Sequence, residues 1–182
     1  MRRSRLGSVR RAATEIRDRL DRGDLPPLYG FVGNAGIQYT NALTEGPDGL
    51  EARFTVNVLA NHLFVRLLQD RFAAPARIVI TVSDTHFGDF KHNMGMVPGP
   101  ARKSPDALAR TGAFPEPDTT APDAPRTRRA SWQPSTWSTS TRVACRPESR
   151  WSPTTRARSS KQSYDERREG ELWETAARFT AA

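Results

Sequence analysis

The sequence of 182 residues contains one cysteine, Cys145, and no long apolar run. A single cysteine excludes an internal disulfide framework and a cysteine-based zinc site. No stretch approaches the roughly 20 apolar residues that span a membrane. The start, Met1-Arg-Arg-Ser-Arg, is not followed by the apolar run of a signal peptide. We therefore expect a cytoplasmic protein without membrane contact.

Aliphatic side chains are almost missing between Arg110 and Ser160, where Val143 is the only Val, Ile, Leu or Met. Ordering the backbone costs about 1–2 kcal/mol per residue, and this composition buries too little apolar surface to offset that cost. We predict that residues 105–160 form a low-complexity segment rich in Pro, Ser, Thr and Arg that is largely disordered. The core then comes from a domain over residues 1–104, with help from a helix within residues 161–182.

Positive charge is concentrated in the same part of the chain. The formal net charge is +8, and residues 101–160 hold 11 Lys and Arg against 5 Asp and Glu. Trp132, Trp137 and Trp151 lie among these arginines, and such a segment can neutralise and stack on single-stranded nucleic acid, or bind another acidic partner. Because arginine-rich disorder alone is weak evidence, this non-catalytic binding function is the alternative, and a nucleic-acid partner is not the main expectation.

Helix and strand patterns alternate in the first hundred residues. Apolar residues three to four apart predict amphipathic helices over residues 6–20 and 49–68. Two short apolar runs, over residues 28–32 and 77–83, predict strands of a parallel sheet, and the second run is typical of a strand buried on both faces. This alternation is typical of βαβ units. We therefore predict an α/β fold with a partial Rossmann-type parallel sheet and flanking helices, followed by the disordered basic segment.

The apolar arc of the helix over residues 49–68 is wider than one sheet contact needs. Such a helix is either buried on two sides or used for dimerisation. A homo-oligomer formed through the helix around Asn57 is therefore an expected partner. Asn57 is also a poor helix former that competes for backbone hydrogen bonds, which is more often a sign of local packing than of catalysis.

Small or polar residues follow both predicted strands. Asn34-Ala35-Gly36 comes after the first strand, and Ser83 ends the second one. Small residues at such a place let a flat ligand approach the backbone, and ligands bind at the carboxyl edge of open α/β sheets. The two histidines and two aspartates between residues 84 and 92 have no metal-ligand spacing, so no metal site is expected.

In their order and spacing, Asn34-Ala35-Gly36, Asn57 and Ser83 resemble the motifs of the short-chain dehydrogenase/reductase superfamily. The resemblance implies that Asn34, Ala35 and Gly36 bind the cofactor. It implies that Ser83 donates an orienting hydrogen bond to the substrate oxygen and that Asn57 anchors a water that relays protons. Both Asn57 and Ser83 are then catalytic residues.

Within the superfamily, residues 77–100 and 163–175 look most like the branch related to light-dependent protochlorophyllide reductase. The resemblance implies a Rossmann-type enzyme that transfers hydride between a nicotinamide cofactor and a small-molecule substrate, which is a carbonyl, an alcohol or an alkene. The branch favours NADP over NAD, although the residues that would read the ribose are absent from this sequence. The substrate is not specified.

Two parts of the family's site are missing from this sequence. There is no glycine-rich phosphate turn, and none of the three tyrosines, Tyr29, Tyr39 and Tyr164, is followed four residues later by a lysine. In the family that tyrosine donates the proton and the lysine lowers its pKa. We interpret the chain as N-terminally truncated and residues 105–160 as translated out of frame. Impaired activity is expected.

Overall fold

The structure, a computed structural model, describes residues 5–37, 44–81, 103–113, 141–145, 152–156 and 165–181. The α-helices, the π-helical turn and the strands in these ranges are, in chain order, α1 (Arg5–Asp21), β1 (Leu28–Gly33), α2 (Ala52–Phe54), a π-helical turn (Thr55–Leu59), α3 (Ala60–Leu68), β2 (Phe72–Ile80), α4 (Pro105–Leu108), β3 (Thr141–Cys145), β4 (Ser152–Arg156) and α5 (Glu166–Thr180). Short 3-10 helices follow α3 at Gln69–Arg71 and α4 at Thr111–Ala113. Residues 52–68 run as one element, which we name the central helix. None of the described helices is long and apolar enough to cross a membrane.

The sheet has the order β1-β2-β3-β4. β1 and β2 are parallel, with register pairs that run from Gly30–Arg77 to Gly33–Ile80. The N–H of Thr81 continues the ladder by donating to the carbonyl of Gly33 at 3.0 Å. Because the central helix connects these two strands, they form the predicted βαβ unit, and the parallel sheet with flanking helices is confirmed. β3 and β4 extend the sheet as antiparallel strands.

β2 starts five residues before the predicted strand over 77–83. Its register against β1 jumps from Leu28–Phe72 to Gly30–Arg77, so residues 73–76 bulge away from β1. Pro75 lies in this bulge, where its missing N–H removes no ladder hydrogen bond to β1. The described strand ends at Ile80, and Ser83 lies outside the described residues.

The prediction that the second strand is buried on both faces is wrong. Val32 and Val79 are register partners, and their exposed fractions are 67% and 37%. Ile78, which lies on the other face of β2, is buried. On that face Phe31 stacks on Phe64 of the central helix with ring centroids 5.4 Å apart. One face of this strand pair is therefore covered and the other is exposed. The continuous apolar runs in the sequence did not indicate this difference.

The hydrophobic core lies among the helices. Its buried members are Leu6, Phe54, Leu59, Leu63, Leu108, Ala109 and Ala176, which come from α1, the central helix, α4 with the residue after it, and α5. Since the central helix also contacts β1 through Phe64, it is buried on two sides, which is one of the two predicted alternatives. A homo-oligomer through this helix stays a prediction.

Packing continues past residue 104, where the sequence predicts the end of the first domain. The side chain of Ser104 caps α4 by accepting the N–H of Ala107 at 3.3 Å, and Pro105 takes the first turn. Leu108 is only 1% exposed. Most of the basic segment lies outside the described residues, so its predicted disorder stays a prediction.

Candidate functional site

The carboxyl ends of β1 and β2 lie side by side, because the strands are parallel and Gly33 pairs with Ile80. Asn34, Ala35 and Gly36 follow Gly33 directly, and all three are exposed. Ligands of open α/β sheets bind at this kind of edge. The predicted cofactor-binding turn is therefore at the carboxyl edge of the parallel pair.

Asn57 holds the far end of this turn. Its Oδ1 accepts the backbone N–H of Ile37 at 2.9 Å, and its Nδ2 donates to the carbonyl of the same residue at 3.1 Å. A Cβ placed on Gly36 would be 3.6 Å from Asn57 Oδ1, so the turn is within contact distance of the amide. The structure thus brings together two of the three predicted motifs, Asn34-Ala35-Gly36 and Asn57.

The helix around Asn57 is not a regular α-helix. Thr55–Leu59 form a π-helical turn, in which the N–H of Ala60 donates to the carbonyl of Thr55. Such turns within α-helices are rare and are frequent at functional sites. The sequence predicted a continuous helix over residues 49–68, and this is corrected here to 52–68 with a π-helical turn. The signal for it was the run of residues with low helix propensity from Thr55 to Val58.

Asn61 lies one helical turn after Asn57 and contacts both it and β1. Its Nδ2 donates to the carbonyl of Asn57 at 3.0 Å. A Cβ on Gly33 would overlap Asn61 Oδ1 and would lie only 2.7 Å from Ile80 Cδ1. A larger residue than Gly33 would therefore force the ends of these two side chains to move. Asn61 was not predicted as a site residue, although its spacing of four from Asn57 places both on one helix face.

Glu51 closes the start of the central helix and is fully buried. Its Oε2 accepts the N–H of Phe54 at 2.7 Å, and its Oε1 accepts from Nε of the buried Arg53 at 3.1 Å. The carboxylate therefore satisfies the positive end of this helix, where an anion would otherwise bind. Sequence reasoning missed this cap because glutamate is not among the residues preferred at that position.

His62 follows Asn61 in the central helix and is a buried titratable group. Neither ring nitrogen has a hydrogen-bond partner among the described residues, and the ring meets that of Trp173 in α5 edge-on, with centroids 4.4 Å apart. Burial, together with the nearby positive charge of Arg66, lowers the pKa of His62 to about 4. This imidazole is therefore neutral at physiological pH and packs between helices.

The described residues fit one part of a nicotinamide dinucleotide. The exposed, small turn over residues 34–36 gives a flat ring access to the backbone. A pyrophosphate needs a glycine-rich turn or an open helix N-terminus, and the start of the central helix is filled by Glu51. The described ranges thus leave the turn over residues 34–36 open and supply no pyrophosphate cradle.

Ser83, the predicted catalytic residue at the end of the second strand, lies outside the described residues. The same holds for Tyr39 and for residues 84–92. Among the residues that the structure does describe, no group of three His, Cys, Asp or Glu is arranged to hold a metal ion.

Comparison with known proteins finds similarity over less than half of this chain. Over 84 residues it is 39% identical to the short-chain dehydrogenase iccH of Talaromyces variabilis, an overlap of 44% of this chain and 22% of the relative. Over 73 residues it is 41% identical to a WW domain-containing oxidoreductase of Danio rerio, which covers 38% of this chain and 17% of the relative. No family model and no solved structure matches. The chain thus spans about a fifth of the length of these two relatives, and over that part it is similar to short-chain dehydrogenases and related oxidoreductases.

Proposed function

We propose that this chain carries part of an NAD(P)-dependent oxidoreductase of the short-chain dehydrogenase/reductase type. Its reaction is hydride transfer to or from a carbonyl, alcohol or alkene substrate. The observation that carries the proposal is the double hydrogen bond from Asn57 to Ile37, just beyond the exposed turn over residues 34–36. The similarity to short-chain dehydrogenases over less than half of the chain supports it.

The proposed cofactor site is the turn of Asn34, Ala35 and Gly36, and the cofactor is NADP in preference to NAD. When bound, the nicotinamide supplies or accepts the hydride. The chain's own residues place it: the small side chains allow close approach, and Asn57 keeps the end of the turn at the sheet edge. The preference for NADP rests on the resemblance to the protochlorophyllide reductase-related branch.

Hydride transfer to a carbonyl develops negative charge on the substrate oxygen, which needs a hydrogen-bond donor and a source of protons. In the proposal Ser83 is that donor. Asn57 uses its amide to hold Ile37, and its carbonyl accepts one hydrogen bond from Asn61. The side-chain and backbone oxygens of Asn57 each keep a further lone pair. We assign these lone pairs as the acceptors for a proton-relaying water.

We further propose that the chain as written is impaired. Its sequence has no tyrosine followed four residues later by lysine and no glycine-rich phosphate turn. Loss of a general acid typically lowers a rate by about 10²–10⁴, and a weakly held cofactor lowers it further because the reactants are not kept in position. Residues 105–160 are then the out-of-frame product of the gene region that should encode the tyrosine and the lysine.

The reading-frame part of the proposal is tested by sequencing the gene in all frames from upstream of Met1 through Ser160. A glycine-rich turn and a Tyr-x-x-x-Lys pair in neighbouring frames are expected. If the neighbouring frames do not encode them, residues 105–160 are a segment translated in the correct frame, and the frame-shift proposal fails.

Cofactor dependence tests the function itself. Thermal unfolding of the full chain is recorded with NADPH, with NADH and, as a matched polyanion, with single-stranded oligonucleotide at low and high salt. A ligand that binds the folded state raises the midpoint, so NADPH is expected to raise it at both salt concentrations. Stabilisation only by the oligonucleotide, lost at high salt, would instead identify the basic segment as the binding part.

A further inference from the structure

We propose that Asn61 is a positioning residue that fixes Asn57 and, through it, the turn between Gly33 and Ile37. Its importance for hydride transfer rests on the proposed function. The positioning itself rests on the contacts of these four residues. Asn61 belongs to none of the motifs that were predicted from the sequence.

Two side-chain amides on one face of the central helix contact the two ends of the turn. Asn57 and Asn61 are four residues apart, which is about one helical turn and a rise of about 6 Å. Asn61 lies against Gly33, where β1 ends, and Asn57 binds both backbone groups of Ile37. The exposed segment over residues 34–36 spans the distance between these two contacts. Its position therefore depends on both amides.

The contact between the two asparagines links these ends. Asn61 Nδ2 donates to the backbone carbonyl of Asn57 at 3.0 Å. Asn57 lies in the π-helical turn, where backbone carbonyls depart from the regular pattern of hydrogen bonds four residues apart. A side-chain donor from the next turn therefore holds that carbonyl and, with it, the direction in which the Asn57 side chain leaves the helix.

The missing side chain of Gly33 completes the arrangement. A Cβ at that position would overlap Asn61 Oδ1, so a larger residue would push the Asn61 side chain from its place. The amide of Asn61 is thereby confined between the end of β1 and the carbonyl of Asn57. A change at either contact is expected to reach Ile37 through Asn57.

The test is amide hydrogen exchange of the full chain, read at Ile37 and at Leu63. Asn61→Ala removes the donor, and Asn61→Asp keeps the shape but turns an acceptor toward the carbonyl of Asn57. Both are expected to speed exchange at Ile37 by about five- to tenfold, the size of one hydrogen bond. Leu63, in the core of the same helix, serves as the measure of general destabilisation. Gln69→Ala, an exposed change at the end of the helix, is the control and leaves Ile37 as in the wild type.

A double-mutant cycle separates positioning from a merely structural role. In the Asn57→Ala background, adding Asn61→Ala is expected to cause no further acceleration at Ile37, because the link to Ile37 is already cut. Additive effects, or equal acceleration at Ile37 and Leu63, would overturn the proposal. If the Asn61 variants do not fold, Gly33→Ala displaces Asn61 from the other side and is read in the same way.

A parallel titration with NADPH keeps this inference apart from the proposed function. If the wild type binds NADPH, the Asn61 variants are expected to bind it more weakly, in step with their exchange at Ile37. If NADPH binds wild type and variants equally, Asn61 does not position the cofactor-binding turn. If the wild type does not bind NADPH at all, the proposed function fails, and the exchange cycle alone decides whether Asn61 positions Asn57.

Discussion

The side-chain amide of Asn57 pairs with both backbone polar groups of Ile37, which lies twenty residues earlier in the chain. Oδ1 accepts the N–H at 2.9 Å, and Nδ2 donates to the carbonyl at 3.1 Å. An asparagine that is a poor helix former is thereby placed in a π-helical turn, where its amide acts as a pairing partner for the segment that follows β1. The residue that weakens the helix stabilises the loop.

Replacing Asn57 therefore tests the role of these two hydrogen bonds in stability. Asn57→Ala loses both and is expected to lower the free energy of unfolding by about 1–3 kcal/mol. Asn57→Asp keeps the acceptor for the N–H of Ile37 but turns a carboxylate oxygen toward the Ile37 carbonyl, so it is also expected to destabilise. Urea unfolding of the three proteins measures the order, and equal stabilities would show that the pairing does not hold the turn.

The buried carboxylate of Glu51 is expected to matter more than any surface ion pair described here. Glu51→Ala removes the N-cap and one partner of the buried Arg53. Breaking a buried pair from one side typically costs about 3–5 kcal/mol.

The matched control for Glu51 is an exposed pair. The hydrogen bond from Arg17 lowers the pKa of Asp70, but both side chains are partly exposed. Asp70→Asn is therefore expected to cost less than about 1 kcal/mol. Chemical denaturation of both variants compares the two costs, and a loss for Glu51→Ala as small as that for Asp70→Asn would rule out a stabilising cap.

Two glycine-to-alanine changes are expected to have opposite signs. At Gly33 the new methyl group overlaps Asn61 Oδ1 and Ile80 Cδ1, and overpacking of this kind typically costs about 1–3 kcal/mol. At Gly170 in α5 no atom of the described residues lies within 4 Å of the new methyl group, so alanine is expected to stabilise the helix by roughly 0.5–1 kcal/mol. Thermal melts of the two variants test this, and a stabilising Gly33→Ala would show that Asn61 does not lie against the strand end.

His62 makes stability depend on pH. In the folded protein its pKa is lowered from 6.5 to about 4 by burial and by Arg66, while Trp173 contacts it from α5 without adding charge. Between these values the unfolded chain binds more protons, so the free energy of unfolding falls as the pH falls from 6.5 toward 4. At pH 5 the titration of His62 has lowered the free energy of unfolding by about 2 kcal/mol.

The variant His62→Phe keeps an aromatic ring against Trp173 and removes the titration. Its free energy of unfolding is expected to fall less than that of the wild type between pH 8 and pH 5. Urea unfolding of both proteins at the two pH values measures the difference, in which other titrating groups cancel. Parallel changes in the two proteins would mean that His62 is not buried in the neutral form.

The helices and the parallel pair could be predicted from local patterns. Apolar residues at a spacing of three to four give α1 and the central helix, and the runs around Phe31 and Ile78 give two strands of one βαβ unit. The bounds were less certain, because tertiary contacts decide them. Pro75, for example, is accommodated by a bulge that depends on the register against β1.

The contacts that build the site were beyond sequence patterns. Asn34-Ala35-Gly36 and Asn57 were predicted as site residues, but the pairing partner Ile37 carries no signal, since it contributes only backbone groups. Asn61 and Gly33 become informative only once β1 lies against the central helix. Burial of Glu51 also depends on packing that no local pattern encodes.

The most direct test of the proposed function is residue-resolved amide exchange of the full chain with and without NADPH. NADPH is expected to slow exchange at Gly36 and Ile37, with weak affinity because the described residues supply no pyrophosphate cradle. The same protection should be reduced in Asn57→Ala. Unchanged exchange over residues 34–37 at saturating NADPH, or protection confined to the basic segment, would contradict a nicotinamide-binding edge in this protein.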